Sequence, residues 1–228
     1  MSTETLPSIG LLGGTGKEGG GLALRWAHAG YVVTIGSRDP QKAAEVAKEL
    51  NALLGRDGVR GGSNQEATAA SDIVVLTVPY AAQASTLSEV REALQGKILI
   101  DVTVPLVPPK VAQAQVPEGG SAVAAMQRLL GAEVRVVSAF QNVSAHYLKD
   151  LSQTIECDVL VCSDDRAAAE TVVGLAQALG LQAYDAGVLA NSVVSEMLTS
   201  VLIAINKRYK VPSSGIRITG LGRSGAVG

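Results

Sequence analysis

Residues 11–30 read LLGGTGKEGGGLALRWAHAG, with six glycines between Gly13 and Gly21 followed by a helical pattern. Each glycine inside a helix costs roughly 0.8–1 kcal/mol relative to alanine. So weak a helix start is explained if something must come very close to the backbone there. Gly14-Thr15-Gly16-Lys17-Glu18-Gly19 fits G-x-G-x-x-G. It follows an expected strand, SIGLLGG, and opens a helix in a βαβ unit, which is the context in which this pattern signals a dinucleotide. Gly14 permits the tight turn, Gly16 admits a pyrophosphate to the backbone, and Gly19 lets the helix pack close to the strand. Free N–H groups and the positive end of the helix dipole then face the phosphates, and Thr15 adds a hydroxyl. This logic leaves Gly20 and Gly21 over, and packing of helix against sheet is the expectation for them.

Outward from that turn, short Val/Ile/Leu runs alternate with helical patterns. YVVTIGS, DIVVLTV, KILIDVT and EVRVVSAF read as further strands. PQKAAEVAKELNALLG reads as a helix with Pro40 in its first turn and Gly55 past its end. AAQASTLSEVREALQG reads as another. Continuous apolar strands suit a parallel sheet covered on both faces. Alternation with helices predicts an α/β fold, a doubly wound Rossmann sheet that is mostly parallel. Near residue 146 the pattern changes to one strand, DVLVCS, a helix, RAAAETVVGLAQALG, and a long apolar helix over about 188–206. Leu189, Val193, Met197, Val201 and Ile205 form one stripe on that helix, with Val194, Leu198 and Leu202 beside it. So wide an apolar arc predicts burial on two sides, against the first domain and against a dimer partner. The division expected is a dinucleotide-binding domain over 1–145 and a smaller, largely helical domain over 146–228.

The end of the second strand selects the nucleotide. An NAD site places Asp or Glu there, about 20 residues on, for the ribose hydroxyls. Here the sequence is TIGSRDPQK, so Gly36-Ser37-Arg38 stands at that place and Lys42 one turn into the next helix. Arg38 can grip a 2′-phosphate in a planar fork, Ser37 can donate a hydrogen bond, and Lys42 adds a point charge. Asp39 is either part of this set or the cap of the following helix. The expectation is NADP(H) rather than NAD(H).

Other functions find little support. The net charge is −2, which gives nucleic acid no global attraction. MSTETLPS has no basic, then apolar, leader pattern, and the long apolar stretch carries Asn191 and Glu196, so a cytoplasmic protein without a membrane span is expected. Cys157 and Cys162 fall on opposite faces of a strand and read as buried thiols. Only two histidines are present, His28 beside Trp26 in the first helix and His146 just past a strand end. His28 reads as structural, and His146 either faces the cleft or lies at a domain junction. The long helix has no lysine before Lys207, and no Ser-His-Asp set or Cys/His metal cluster is evident. An enzyme without an acid–base group can still pass hydride between two cofactors held face to face. TVPY (77–80), DVTVPLVPP (101–109) and AFQNVSA (139–145) would line such a cleft. Lys207, Arg208, Lys210, Arg217 and Arg223 follow with no acidic residue, which either serves an anionic ligand or complements the helix dipole.

Taken in order, LLGGTGKEGGGLALR, GSRDPQK, DIVVLTVPY, PLVPP, CDVLVCSDD, YDAGVLANS and SGIRI span nearly the whole chain. The set resembles the NADPH-dependent reductases of coenzyme F420, a deazaflavin. The resemblance implies a homodimer that transfers hydride reversibly between NADP(H) and F420. It places pyrophosphate contacts at Thr15, Gly16, Lys17 and Glu18, and the 2′-phosphate at Ser37, Arg38 and Lys42. It sets Tyr80 and Ala84 beside the dinucleotide, Leu106 and Ala145 by the nicotinamide, and Ser214 near the deazaflavin, whose acidic tail would suit the basic C-terminus. The family carries a histidine near the place of Gln141, and the Lys17–Glu18 pair is unusual for the loop. A reductase of small imines or ketones using His146 or Tyr80, or an NADP-sensing module without turnover, is the rival expectation.

Overall fold

A computed structural model describes residues 6–221, so Arg223 of the basic tail lies outside the described residues. Its first strand, β1 (Ile9–Leu12), is buried at every position, as are β4 (Ile73–Leu76) and β5 (Ile98–Asp101). With β2 (Val33–Ser37), β3 (Val59–Ser63), β6 (Arg135–Ser138), β7 (Asp158–Ser163) and β8 (Gln182–Asp185) they form an eight-stranded sheet in the order β3-β2-β1-β4-β5-β6-β7-β8. Pairing is parallel from β3 to β6, antiparallel between β6 and β7, and parallel again between β7 and β8. The chain reverses direction across the sheet between β1 and β4, where a crevice for a ligand opens at the carboxyl ends of the strands.

Period-two alternation divides the strand side chains between two cores. On one face Leu11, Ile35 and Val75 pack with α1 (Lys17–His28), α2 (Pro40–Leu54) and α6 (Arg166–Gln177) through Leu22, Trp26, Leu50 and Val172. On the other face Leu12, Val74 and Leu76 pack with α3 (Asn64–Ala69), α4 (Gln83–Glu89) and α5 (Ala122–Leu130) through Ala67, Leu87 and Val123. Gly55 ends α2 at φ 68° as the sequence suggests, and Asp39 caps its start by accepting from the Gln41 and Lys42 amides.

Four elements escape the sequence pattern: β3, α3, α5 and β8. β3 reads VRGGS, with little apolar signal, because α2 crosses it closely; a Cβ on Gly61 would stand 2.3 Å from the Ala43 backbone. α4 stops at Glu89, and the remainder of the expected helix continues as turns with Val90 and Leu94 buried. Residues beyond 146 contribute β7, α6 and β8 to the same sheet before α7 (Ser192–Tyr209).

The apolar stripes expected to bury α7 are covered only in part: Leu189 and Leu202 are buried, and Val193, Met197 and Leu198 are half-buried. Its inward side is Ser192, Ser195, Glu196 and Ser200 with Leu202, while Val194, Val201 and Ile205 are exposed. The polar side is buried because it is satisfied. Glu196 accepts from the Ser121 hydroxyl at 2.6 Å and from the Ala122 and Val123 amides at the start of α5, and Ser192 lies 2.6 Å from Ser121. The segment Leu189–Tyr209 is long and apolar enough to cross a bilayer, yet its polar stripe is spent on these contacts.

Candidate functional site

The glycine-rich turn is held between β2 and β4. The Gly13 and Gly14 amides both donate to the Gly36 carbonyl at 3.1 Å, with Gly13 at φ 75°. A Cβ on Gly14 would lie 2.7 Å from Ile35, and one on Gly19 would lie 2.4 Å from the Thr77 hydroxyl. Gly14 and Gly19 therefore serve the packing of the turn and lie behind the cleft wall. At Gly16 the nearest atom to such a Cβ is 3.5 Å away, and the residue is exposed. α1 starts at Gly16 without a side-chain cap, so the amides of its first turn face the cleft and suit an anion.

Gly20 and Gly21 do not serve the sheet, contrary to the sequence expectation. They admit the loop that follows β6. A Cβ on Gly21 would stand 2.3 Å from the Leu148 Cβ, and one on Gly20 would meet the Lys149 Cε at 3.3 Å. Arg25, one turn further along α1, clamps this loop. Its Nε donates to the Leu148 carbonyl at 2.9 Å, and its Nη2 lies 2.7–3.0 Å from the carbonyls of Tyr147, Asp150 and Gln153. Trp26 adds a hydrogen bond to the Leu175 carbonyl and meets Phe140 edge-on at 5.7 Å. Phe140 itself has φ 72°, a left-handed backbone that is rare for a bulky residue and turns the chain from β6 into the cleft.

A cleft of about 920 Å³ runs across the strand ends. Thr15, Gly16, Lys17 and Glu18 line its middle, Ser37, Arg38 and Lys42 one end, and Tyr80, Leu106 and Ala145 the other. Asp39 also borders it, but its carboxylate is committed to the α2 cap. Besides Gly14 and Gly19, Ala84, Ser214 and His146 lie outside this cleft. Ala84 borders a separate hollow of about 290 Å³ with Glu118 and Met126. Ser214 is half-buried against α7, its hydroxyl 3.5 Å from the Leu202 carbonyl. His146 is exposed, edge-on to Tyr147 at 4.5 Å, and His28 is exposed at the end of α1. Neither histidine lines the cleft, which removes the support for acid–base work by His146.

Sequence reasoning missed three residues that line the cleft: Asn64, at the end that holds Ser37, and Thr199 and Ile203, on the side of Thr103 and Gln141. Thr199 donates to the Gln141 carbonyl at 2.7 Å. Gln141 Nε2 is anchored on the Asp101 carbonyl and the Ser138 hydroxyl, each at 2.8 Å, while its Oε1 has no partner. The Thr103 hydroxyl and Asn64 Oδ1 are also buried without partners. Unpaired buried polar atoms clustered on one cleft are what a polar ligand would complete.

Two kinds of carboxylate stand nearby. Glu18 is half-buried on the cleft wall with no counter-charge, and desolvation pushes its carboxyl up to about 8. Asp101 is fully buried below the cleft; burial raises its pKa, opposed by hydrogen bonds from the Thr103 amide and Gln83. Both cysteines are buried thiols, and desolvation pushes Cys162 up to about 11.

A doubly wound sheet with a glycine-rich phosphate turn at its switch point defines a Rossmann-type dinucleotide-binding protein. Residues 8–105 match the family model described as NADP oxidoreductase, coenzyme F420-dependent. The F420-dependent NADP reductase of Methanothermobacter thermautotrophicus is 43% identical over 220 residues, covering 93% of this chain and 95% of that one. The one from Methanocaldococcus jannaschii is 40% identical over 221 residues, covering 93% and 98%. A solved structure from Arthrobacter sp. fb24, a candidate F420-dependent NADP reductase, superposes with TM-score 0.78 at 25% identity and covers 94% of this chain and all of that one. The chain belongs to the F420-dependent NADP oxidoreductase family.

Proposed function

We propose that this member of the family transfers hydride reversibly between NADP(H) and the deazaflavin F420 inside the cleft, without a protein acid or base. The observation that carries the proposal is the joining, in one cleft, of an uncapped helix start, a guanidinium at the end of β2 and a polar far wall without ionisable groups at its centre. The nicotinamide and deazaflavin rings supply the hydride chemistry, and the protein supplies position and excludes water. Gly16, Lys17 and the neighbouring amides hold the diphosphate, with Thr15 adding its hydroxyl. Ser37, Arg38 and Lys42 hold the 2′-phosphate. Tyr80 flanks the dinucleotide, and Leu106 and Ala145 form the apolar wall at the reacting end. Thr103, Gln141 and Thr199 offer hydrogen bonds to ring edges there.

In this reading residues 1–145 carry the dinucleotide, and 146–228 form the deazaflavin side and the dimer contact. The homodimer is supported by the apolar side of α7, where Val194 is 62% and Val201 48% exposed. Apolar residues exposed along one helix suit a second copy of the chain. A cytoplasmic location fits an enzyme of two diffusible cofactors. The test is to mix the protein with NADPH and oxidised deazaflavin. Loss of the deazaflavin's visible absorbance is expected; bound NADPH with no bleaching overturns the proposal.

A further inference from the structure

We infer that Asn64 is a further binding residue of the cleft, whose side-chain carbonyl accepts a hydrogen bond from the 3′-hydroxyl of the adenosine ribose. Asn64 is 2% exposed and lines the cleft at the end that holds Ser37, Arg38 and Lys42. Its Oδ1 is buried with no partner among the described residues. A buried acceptor left unpaired is costly, so a ligand donor is favoured there. The approach to β2 is built in. A Cβ on Gly36 would stand 2.9 Å from the Asn64 Cα and 3.0 Å from its Oδ1, so Gly36 is the residue that admits this side chain beside Ser37.

The ligand atom follows from chemistry. The inference rests on the reading that Arg38 and its neighbours hold a 2′-phosphate. An amide oxygen repels that anion, so its partner must be a donor. The ribose 3′-hydroxyl sits on the carbon next to the phosphorylated one, and is the donor nearest to the phosphate site. Asn64 is held independently of its own side chain. Ser63 and Glu66 form a reciprocal cap at the start of α3, and the Thr68 hydroxyl donates to the Asn64 carbonyl at 2.8 Å. Truncating the side chain therefore leaves its anchors in place.

The experiment is calorimetric titration of the full chain with adenosine 2′,5′-bisphosphate, its 3′-deoxy analogue and ADP. The parent should bind the bisphosphate about five- to tenfold tighter than the 3′-deoxy analogue, the worth of one ordinary hydrogen bond. Asn64→Ala should bind both alike, at the parent's level for the deoxy compound. Asn64→Asp, which keeps volume and acceptor, should keep the 3′-hydroxyl preference measured with ADP and 3′-deoxy-ADP while binding the bisphosphate more weakly than the parent. Should the alanine variant fail to fold, Asn64→Ser carries the same comparison. A 3′-hydroxyl preference that survives Asn64→Ala or Asn64→Ser overturns the inference. Failure of the underlying reading is distinct: it appears as a parent that does not prefer the bisphosphate to ADP.

Discussion

On the side of the cleft proposed to hold the nucleotide's phosphates, Gly16, Ser37, Arg38 and Lys42 come from two short stretches that follow consecutive strands. At the reacting end, Thr103, Gln141, Ala145, Thr199 and Ile203 come from the ends of β5 and β6 and from the middle of α7, nearly a hundred residues apart. The first end uses backbone amides and charges fixed by local turns. The second is assembled by long-range packing, and its polar groups are placed by contacts such as Thr199 on the Gln141 carbonyl. The lesson is that the end proposed to bind phosphate depends on a turn, and the end proposed to react depends on the docking of two distant segments. The seam between them is Arg25, which belongs to the helix of the phosphate turn and holds the loop of the reacting end.

The largest effect is therefore expected at that seam. Arg25→Ala removes the donor from the carbonyls of Leu148 and Gln153 and leaves those of Tyr147 and Asp150 with only a backbone amide each, and should cost about 3 kcal/mol in urea unfolding. Arg25→Lys should recover only part of it, because an ammonium cannot reproduce the planar fork. Turnover with deazaflavin should fall further than NADPH binding, since Ala145 lies on the affected loop. An Arg25→Ala protein with parental stability would mean that the two ends are not coupled through this residue.

Next in size is Arg38→Ala. A hydrogen-bonded charge pair is worth about 1.5–3 kcal/mol, so NADPH affinity should drop on the order of 10- to 100-fold with NADH affinity nearly unchanged. Comparable losses for both nucleotides would remove the phosphate reading from this end and leave the ends undistinguished.

How far the sequence reads follows the same division. Gly14, Gly16 and Gly19 sit in a contiguous pattern whose mechanics are local: Gly14 and Gly19 are close-packed behind the turn, and Gly16 is exposed on the cleft. Asp39 was open between ligand and cap, and the cap took it because the Gln41 and Lys42 amides lie within its own turn. Gly20 and Gly21 were unreadable, since their partners, Leu148 and Lys149, are more than a hundred residues away. α7 was legible only in part, for a sharper reason. Hydrophobic periodicity assumes that the apolar side is the buried one, whereas here the Ser192–Ser195–Glu196–Thr199 side faces inward onto Ser121 and Gln141. The available signal was Glu196 itself: a lone carboxylate in an otherwise apolar helix must either face water or find donors inside. β3 stayed hidden because Gly61 serves close contact with α2, and Gly62 with Glu66 of α3, instead of apolar burial.

A smaller effect separates the ends by pH. Glu18 rises from 4.5 to about 8 through desolvation, so the folded chain keeps a proton that the unfolded chain releases. Its contribution to stability is fully present below pH 4.5 and is lost as pH rises through 8. Relative to Glu18→Gln, the ligand-free parent should lose on the order of 1–2 kcal/mol from pH 5 to 9, a figure reduced for the water that reaches a half-buried carboxyl. Ionised Glu18 also faces the diphosphate, so parental NADPH affinity should weaken several-fold from pH 7 to 9 while the glutamine variant stays flat. A flat parental profile in both measurements would show that this carboxyl is ionised throughout.

The smallest expected effect, that at Gly20, is the most discriminating about the seam, because it is read against its neighbour Gly21. At Gly21 a methyl group would meet the Leu148 Cβ at 2.3 Å, and Leu148 is fully buried with no room to retreat. Gly21→Ala should therefore destabilise by about 1–3 kcal/mol, as overpacking does. At Gly20 the contact is the Cε of Lys149 at 3.3 Å, the far end of an exposed, flexible side chain. Lys149 can swing away, and alanine regains up to about 1 kcal/mol of helix propensity. Gly20→Ala should leave thermal stability unchanged or slightly raised, with NADPH binding within about twofold of the parent, since the methyl points to the loop and not to the cleft. If Gly20→Ala destabilises as much as Gly21→Ala, the loop is packed rigidly along the whole first half of α1, and Lys149 is as fixed in place as Leu148.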